Sequence, residues 1–204
     1  MRSFTINDRI IGQDCPPYIV AEVSANHNGS MEAAKNLIEV AKRAGADAVK
    51  LQTYRPETIT LNSSKSDFQI LEGLWKGRTL YELYDWAHTP WEWHKALFDY
   101  AHELGITIFS TPFDESAVDF LEELKTPAYK IASFECTDLT LIRKVAETGK
   151  PLIISTGMAN KQEICEAVDT AKKYGSGELV LLHCVSGYPA EPKEYNLKTM
   201  RDMS

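Results

Sequence analysis

YIVAEVSANHNGSMEAAKNLIEVAKRAGADAVKLQTY, residues 18–54, changes its hydrophobic period twice, and that change decides the fold. Its first five residues, 18–22, form a short apolar run of strand type, and 48–52 form a second. Between them, 31–44 has helical spacing, with Leu37, Ile38 and Val40 on one side, Ser30 placed to cap the start and Gly45 to end it. Strand, helix and strand joined at this length form a βαβ unit, whose two strands run parallel because the helix carries the chain back.

The same rhythm continues along the chain. Further strands are expected at 107–110, 129–131, 152–155 and 179–183. Their apolar runs are nearly continuous, as strands buried on both faces require. Helices are expected at 91–104 after Pro90 and ending at Gly105, and at 116–124 after Asp114. Two more follow, at 139–148 between Asp138 and Gly149, and at 161–174 between Asn160 and Gly175. Ahead of the first strand, 4–6 and 9–11 around Asn7-Asp8 predict a small hairpin that could close a barrel floor. The one long connection, 53–88, is polar with scattered aromatics, and long connections inside a domain are usually functional.

The expected fold is α/β, a (β/α)8 TIM-barrel type, incomplete in this chain at about six βα units, with a short N-terminal β-hairpin. A complete barrel needs about 250 residues, and the sequence has 204, stopping as a further helix begins. Residues 1–204 are therefore read as the N-terminal part of one barrel domain, truncated or completed by another subunit. A doubly wound open sheet is the alternative.

A chain that is 44% hydrophobic and 25% charged is ordinary for a globular domain. A net charge of −7 without a Lys/Arg cluster argues against a nucleic-acid partner, which needs locally concentrated positive charge. Cys15, Cys136, Cys165 and Cys184 are scattered, with no Cys-x-x-Cys pair, and are read as reduced thiols of a cytoplasmic protein. No targeting or membrane-spanning segment is expected.

In βα barrels the chemistry sits where strands end. The first strand ends at Glu22 and enters Ser24-Ala25-Asn26-His27-Asn28-Gly29. The second carries Lys50 and Gln52, and the third ends Ser110-Thr111-Pro112. The fourth carries Lys130 ahead of Ser133 and Glu135, the fifth ends Ser155-Thr156-Gly157, and the sixth leads to His183, Cys184, Ser186 and Tyr188. Buried lysines are costly without an anion or carboxylate to meet them. Either each pairs with a structural carboxylate, Glu22 or Glu135, or Lys50 and Lys130 face one site and, with the Ser and Thr donors, cradle phosphate and carboxylate. A Schiff base on Lys130 is a third possibility. His27 and His183 are each open to a plain hydrogen-bonded role, and His88, His94 and His102 to solvated or packing roles. Trp86, Trp91 and Trp93 fit helix packing. No metal-ligand spacing occurs within the chain.

These residues carry a resemblance. The opening stretch, followed in order by FSTPFDESAVDFLEEL, PAYKIASFE, GKPLIISTGM and LLHCVSGYP, resembles the sialic acid synthase family over the whole chain. LQTY, LWKGRTLYELY and AHTPWEWHK are similar to its pseudaminic acid branch. The resemblance implies condensation of phosphoenolpyruvate with an N-acetylated hexose, expected to be 2,4-diacetamido-2,4,6-trideoxy-altrose, with release of phosphate. Neuraminate or legionaminate synthesis, a lysine-dependent aldolase and an inactive barrel fragment are the alternatives.

By motif, the resemblance gives Lys50, Lys130, Ser133, Ser155 and Thr111 to phosphate and carboxylate, with Gln52 and Ser110 also in substrate binding. Glu22, Glu135, Ser186 and Tyr188 would handle the sugar and the water, with Glu22, Glu135 and His27 as catalytic candidates. It further implies a divalent Mn or Mg in the complete enzyme, held by residues on last strands that this chain lacks, and a C-terminal antifreeze-like domain, also absent. A homodimer is expected for the complete protein, and little or no synthase activity for the chain alone. Val185 and Ser186 depart from the Thr-Ser or Thr-Asn pair common in relatives after strand six.

Overall fold

The computed structural model describes residues 3–175, 178–187 and 190–203. In chain order the elements are β1 (Phe4–Ile6), β2 (Arg9–Ile11), β3 (Val20–Glu22), α1 (Met31–Arg43), β4 (Ala48–Thr53), α2 (Pro56–Ile59), α3 (Leu80–Ala87) and α4 (Trp91–Glu103). There follow β5 (Thr107–Pro112), α5 (Glu115–Glu123), β6 (Tyr129–Ile131), α6 (Leu139–Ala146), β7 (Leu152–Ser155), α7 (Lys161–Tyr174), β8 (Leu179–Leu182) and α8 (Thr199–Asp202). The chain divides into two compact units, Pro16–Thr126 and Met1–Cys15 with Pro127–Ser204.

In the unit Pro16–Thr126, β3, β4 and β5 pair in parallel, with Glu22 beside Lys50, Leu51 beside Ser110 and Gln52 beside Thr111. β4 and β5 are buried almost throughout because Val49, Leu51, Ile108 and Phe109 lose their contact with water entirely. Helix α1 starts where Ser30 Oγ accepts the Ala33 N–H at 3.2 Å. It buries Ala34, Ile38 and Ala41, spaced by four and three residues as one helical face demands. Val40, expected on that face, is 43% exposed, because its position lies about 160° around the helix from Ile38. Beyond the helix, Gly45 takes φ +86°, a conformation that side chains resist.

The long connection is not a plain loop. Pro56 opens α2, and Thr79 and Glu82 exchange side-chain and backbone hydrogen bonds to open α3. That capping box was present in the sequence as Thr-x-x-Glu.

In the other unit, β6, β7 and β8 pair in parallel, and β1 and β2 form the expected antiparallel hairpin. Helices α6 and α7 begin at the expected caps. The Asp138 carboxylate accepts the Leu141 N–H at 3.0 Å. Asn160 Oδ1 accepts the N–H groups of Gln162 and Glu163 at 2.9 and 3.1 Å, and Glu163 Oε2 returns a bond to the Asn160 N–H at 2.7 Å. Among the described residues no helix is long and apolar enough to cross a membrane. Replacing Asn160 by Ala removes the side-chain half of this reciprocal cap, leaving the Glu163 bond to the backbone N–H, and is expected to cost about 1 kcal/mol, read from the urea midpoint. No shift in that midpoint would show that the cap does not hold α7.

Candidate functional site

The two units each carry a polar cluster at the carboxyl ends of their strands. In Pro16–Thr126 the centre is Lys50, 5% exposed despite its charge. Alternation along β4 puts Lys50 and Gln52 on one face, and Thr111 joins them because it is the register partner of Gln52. Lys50 Nζ lies 2.5 Å from Glu22 Oε2 and donates to Thr111 Oγ1 at 3.1 Å. Glu22 Oε1 accepts the Ser24 N–H at 3.1 Å, and Ser24 Oγ donates to Gln52 Oε1 at 3.2 Å. Four expected residues, Glu22, Lys50, Gln52 and Thr111, thus join one network through Ser24. Ser24 had not been singled out, and its φ of +45° is a backbone feature with no sequence signal here.

Lys50 therefore has the carboxylate partner that the simpler reading of a buried lysine expects. Glu22 stays open on its other side, with 44% of its side chain exposed. An ammonium has three N–H donors. Among the described residues, these two partners account for two of them.

Ser110 does not belong to this cluster. It alternates to the opposite face of the sheet, where its hydroxyl meets Thr53 Oγ1 at 2.6 Å, and Thr53 Oγ1 lies 2.8 Å from His94 Nε2. His94, expected to be solvated or packing, is fully buried at the start of α4. Burial pushes its pKa down to about 4, against smaller raising effects from the hydrogen bonds with Pro90 and Trp91 and from Glu92.

His27 is 1% exposed. Its Nδ1 accepts the Gly29 N–H at 3.1 Å, so the proton sits on Nε2, which faces Thr89 Oγ1 at 3.4 Å, and its ring meets the edge of Trp93. Burial, with His88 second, lowers its pKa. Both ring nitrogens of His27 thus face internal partners, as in a hydrogen-bonded loop histidine. Trp91 packs as expected, stacked on Phe120.

In the other unit, Lys130 stands on β6 between the buried Tyr129 and Ile131. Glu135, in a 3-10 turn after β6, has a buried Oε2 with no hydrogen-bond partner. Burial raises its pKa most; its own backbone N–H and the charge of Lys130 lower it, and Asp138 raises it. Ser155 ends β7, 2% exposed.

Gly157 is the residue that sequence reading passed over here. A Cβ at this position would overlap Ser186 Oγ and lie 2.8 Å from Ser133 Oγ and 3.3 Å from Cys184 Cβ. Two expected residues, Ser133 and Ser186, are thereby brought against one backbone atom. His183 Nε2 donates to the Tyr195 carbonyl at 2.7 Å, the satisfied strand-end role. Tyr188 lies outside the described residues. Among those residues no group of three His, Cys, Asp or Glu could hold a metal ion.

Two tests follow from this geometry. The folded-state pKa of His94 lies below the ordinary value near 6.5, so the unfolded chain takes up the proton first as the pH falls. Its contribution to stability is complete above pH 6.5 and is lost progressively toward pH 4, roughly 3 kcal/mol in all. Denaturation midpoints across that window should lose this slope in His94→Leu; an unchanged slope would remove His94 as its source. Gly157→Ala should destabilise by roughly 1–3 kcal/mol, since the methyl displaces two hydroxyls. A neutral substitution would show that the serines have room to move.

The NeuB family model matches residues 37–204. The chain is 49% identical over 181 residues to a pseudaminic acid synthase of Campylobacter jejuni, covering 89% of this chain and 53% of that protein. It is 40% identical over 198 residues to an N,N'-diacetyllegionaminic acid synthase of Legionella pneumophila, covering 95% and 55%. The crystal structure of an N-acetylneuraminic acid synthetase from Leptospira borgpetersenii in complex with citrate superposes with a TM-score of 0.86 at 29% identity, covering 99% of this chain and 66% of that one. The fold is the expected α/β architecture of (β/α)-barrel type, incomplete in this chain, with a separate two-stranded antiparallel sheet. The chain spans about half the length of the curated relatives it matches.

Proposed function

The chain belongs to the NeuB family, and from that premise we propose that it serves the condensation of phosphoenolpyruvate with an N-acetylated hexose to give pseudaminic acid and inorganic phosphate. The observation that carries this reading is Lys50: a buried ammonium at the strand ends, held by Glu22 and Thr111 and with a donor to spare for an arriving anion. Its relatives include a legionaminic as well as a pseudaminic acid synthase, and the higher identity to the latter favours a 2,4-diacetamido-2,4,6-trideoxy-altrose acceptor.

In this reading Lys50, Lys130, Thr111, Ser133 and Ser155 take the phosphate and carboxylate of phosphoenolpyruvate, because charged and hydroxyl donors match oxyanions. C3 of phosphoenolpyruvate forms a bond to the aldehyde carbon of the sugar while water adds its oxygen at C2. Cleavage of the C2–O bond of the resulting tetrahedral centre then releases phosphate and leaves the 2-keto acid. Of the two protons of the water, one ends on the aldehyde oxygen, and the other leaves the C2 hydroxyl as the ketone forms and departs with the phosphate. Glu135 suits that exchange, since burial makes its carboxylate hold a proton more tightly than usual and its Oε2 has no internal partner. Glu22, half exposed, is the other proton carrier, and on the family resemblance Gln52, Ser186 and Tyr188 are given to the sugar. A divalent Mn or Mg belongs to the family reading, but the described residues offer no cluster that fits one, and no step here passes through it. The same reading takes the complete protein as a cytoplasmic homodimer.

Calorimetry with phosphoenolpyruvate tests the reading. The chain should bind it, and Lys50→Ala, shown folded by circular dichroism, should weaken binding at least tenfold, about 1.4 kcal/mol. Unaltered affinity in that variant, or no binding by the folded chain, would end the proposal.

A further inference from the structure

Thr53, His94 and Ser110 are all fully buried, and the direction of every hydrogen bond among them is fixed. His94 Nδ1 lies 3.1 Å from the Pro90 carbonyl, which can only accept, so Nδ1 carries the proton. In the neutral ring Nε2 is then an acceptor, and Thr53 must donate to it at 2.8 Å. The Thr53 oxygen is left to accept from the Ser110 hydroxyl at 2.6 Å. The chain of donors runs one way, from Ser110 to Thr53 to His94 to Pro90. An imidazolium would carry a second N–H facing Thr53 and would reverse both hydroxyls.

This relay ties the last residue of β4 to β5, on the face turned away from Lys50. Thr53 follows Gln52 and Ser110 precedes Thr111, so the relay clamps the two peptides whose side chains meet Lys50 and Ser24. An apolar trio would fill the same volume without the desolvation that three polar groups carry when any bond is lost. What the polar version adds is direction and register.

We propose that His94 is a positioning residue: its neutral, Nδ1-protonated ring sets, through Thr53 and Ser110, the strand register in which Thr111 meets Lys50 and Gln52 meets Ser24. The proposal rests on the reading of Lys50 as an anion ligand only for its functional consequence. The relay itself can be read separately. The groups that act on the ring are Glu92 and His88, the carbonyls of Pro90 and Trp91, Thr53, and the edge-on ring of Phe120.

Nitrogen-15 spectra of the full chain should show the Nδ1–H tautomer of His94 at pH 7; an Nε2–H tautomer overturns the proposal. The triple variant Thr53→Val, His94→Leu, Ser110→Ala replaces all three side chains of the relay by apolar groups, leaves the Pro90 carbonyl its bond from the Trp93 N–H, and should fold. In it the ammonium resonance of Lys50, across the sheet from all three substitutions, should move, and affinity for phosphoenolpyruvate should fall at least tenfold. His94→Gln, which keeps an acceptor near the Nε2 position, should recover most of both. A folded triple variant with an unmoved Lys50 resonance overturns the positioning role. If the unaltered chain fails to bind phosphoenolpyruvate, the anion reading falls, and the tautomer and the Lys50 resonance still decide this proposal.

Discussion

The structure of the Pro16–Thr126 unit turns on one charge that has been taken out of water. Lys50 could be buried at the strand ends only because Glu22 and Thr111 meet its ammonium there. Removing a partner from a fully buried pair costs roughly 3–5 kcal/mol, and the open side of Glu22 moderates that figure. The geometry of β3, β4 and β5 follows from the need to keep the three groups together. Glu22 must end its strand beside Lys50, and Thr111 must stand two positions beyond Phe109, the residue opposite Lys50.

The two faces of β4 and β5 divide the labour. One face gathers Lys50, Gln52 and Thr111, and the other gathers Thr53 and Ser110 against α4. Strand alternation enforces the division, since neighbouring residues cannot point the same way. The sheet is therefore a partition with different polar networks on its two sides, each fully inside one unit.

Much of this was legible in the sequence because hydrophobic period and cap residues are local signals. Ser30, Asp114, Asp138 and Asn160 all cap the helices expected of them. That Ser110 stands apart from the Lys50 cluster was not legible, because its partner Thr53 depends on the register between β4 and β5, which no local pattern states. The alternation of Lys50 with Leu51 could have given the face of Thr53, but not which residue of β5 lies beside it. His27 required knowledge of Thr89 and Trp93, more than sixty positions away, before its burial could be read. Gly157 was invisible for a related reason: what crowds it are hydroxyls from two other segments.

The segment after β7 has its own consequence. Thr156 bonds the Leu182 carbonyl through both its N–H and its hydroxyl, at 3.1 and 2.9 Å, and Ala159 N–H returns to the Thr156 carbonyl at 3.3 Å. Asn160 then locks the far end into α7, so the stretch around Gly157 is fastened at both ends with little slack between. A ligand settling against Ser133 and Ser186 would meet a surface whose ordering entropy was already spent during folding, and more of its contact energy would appear as affinity.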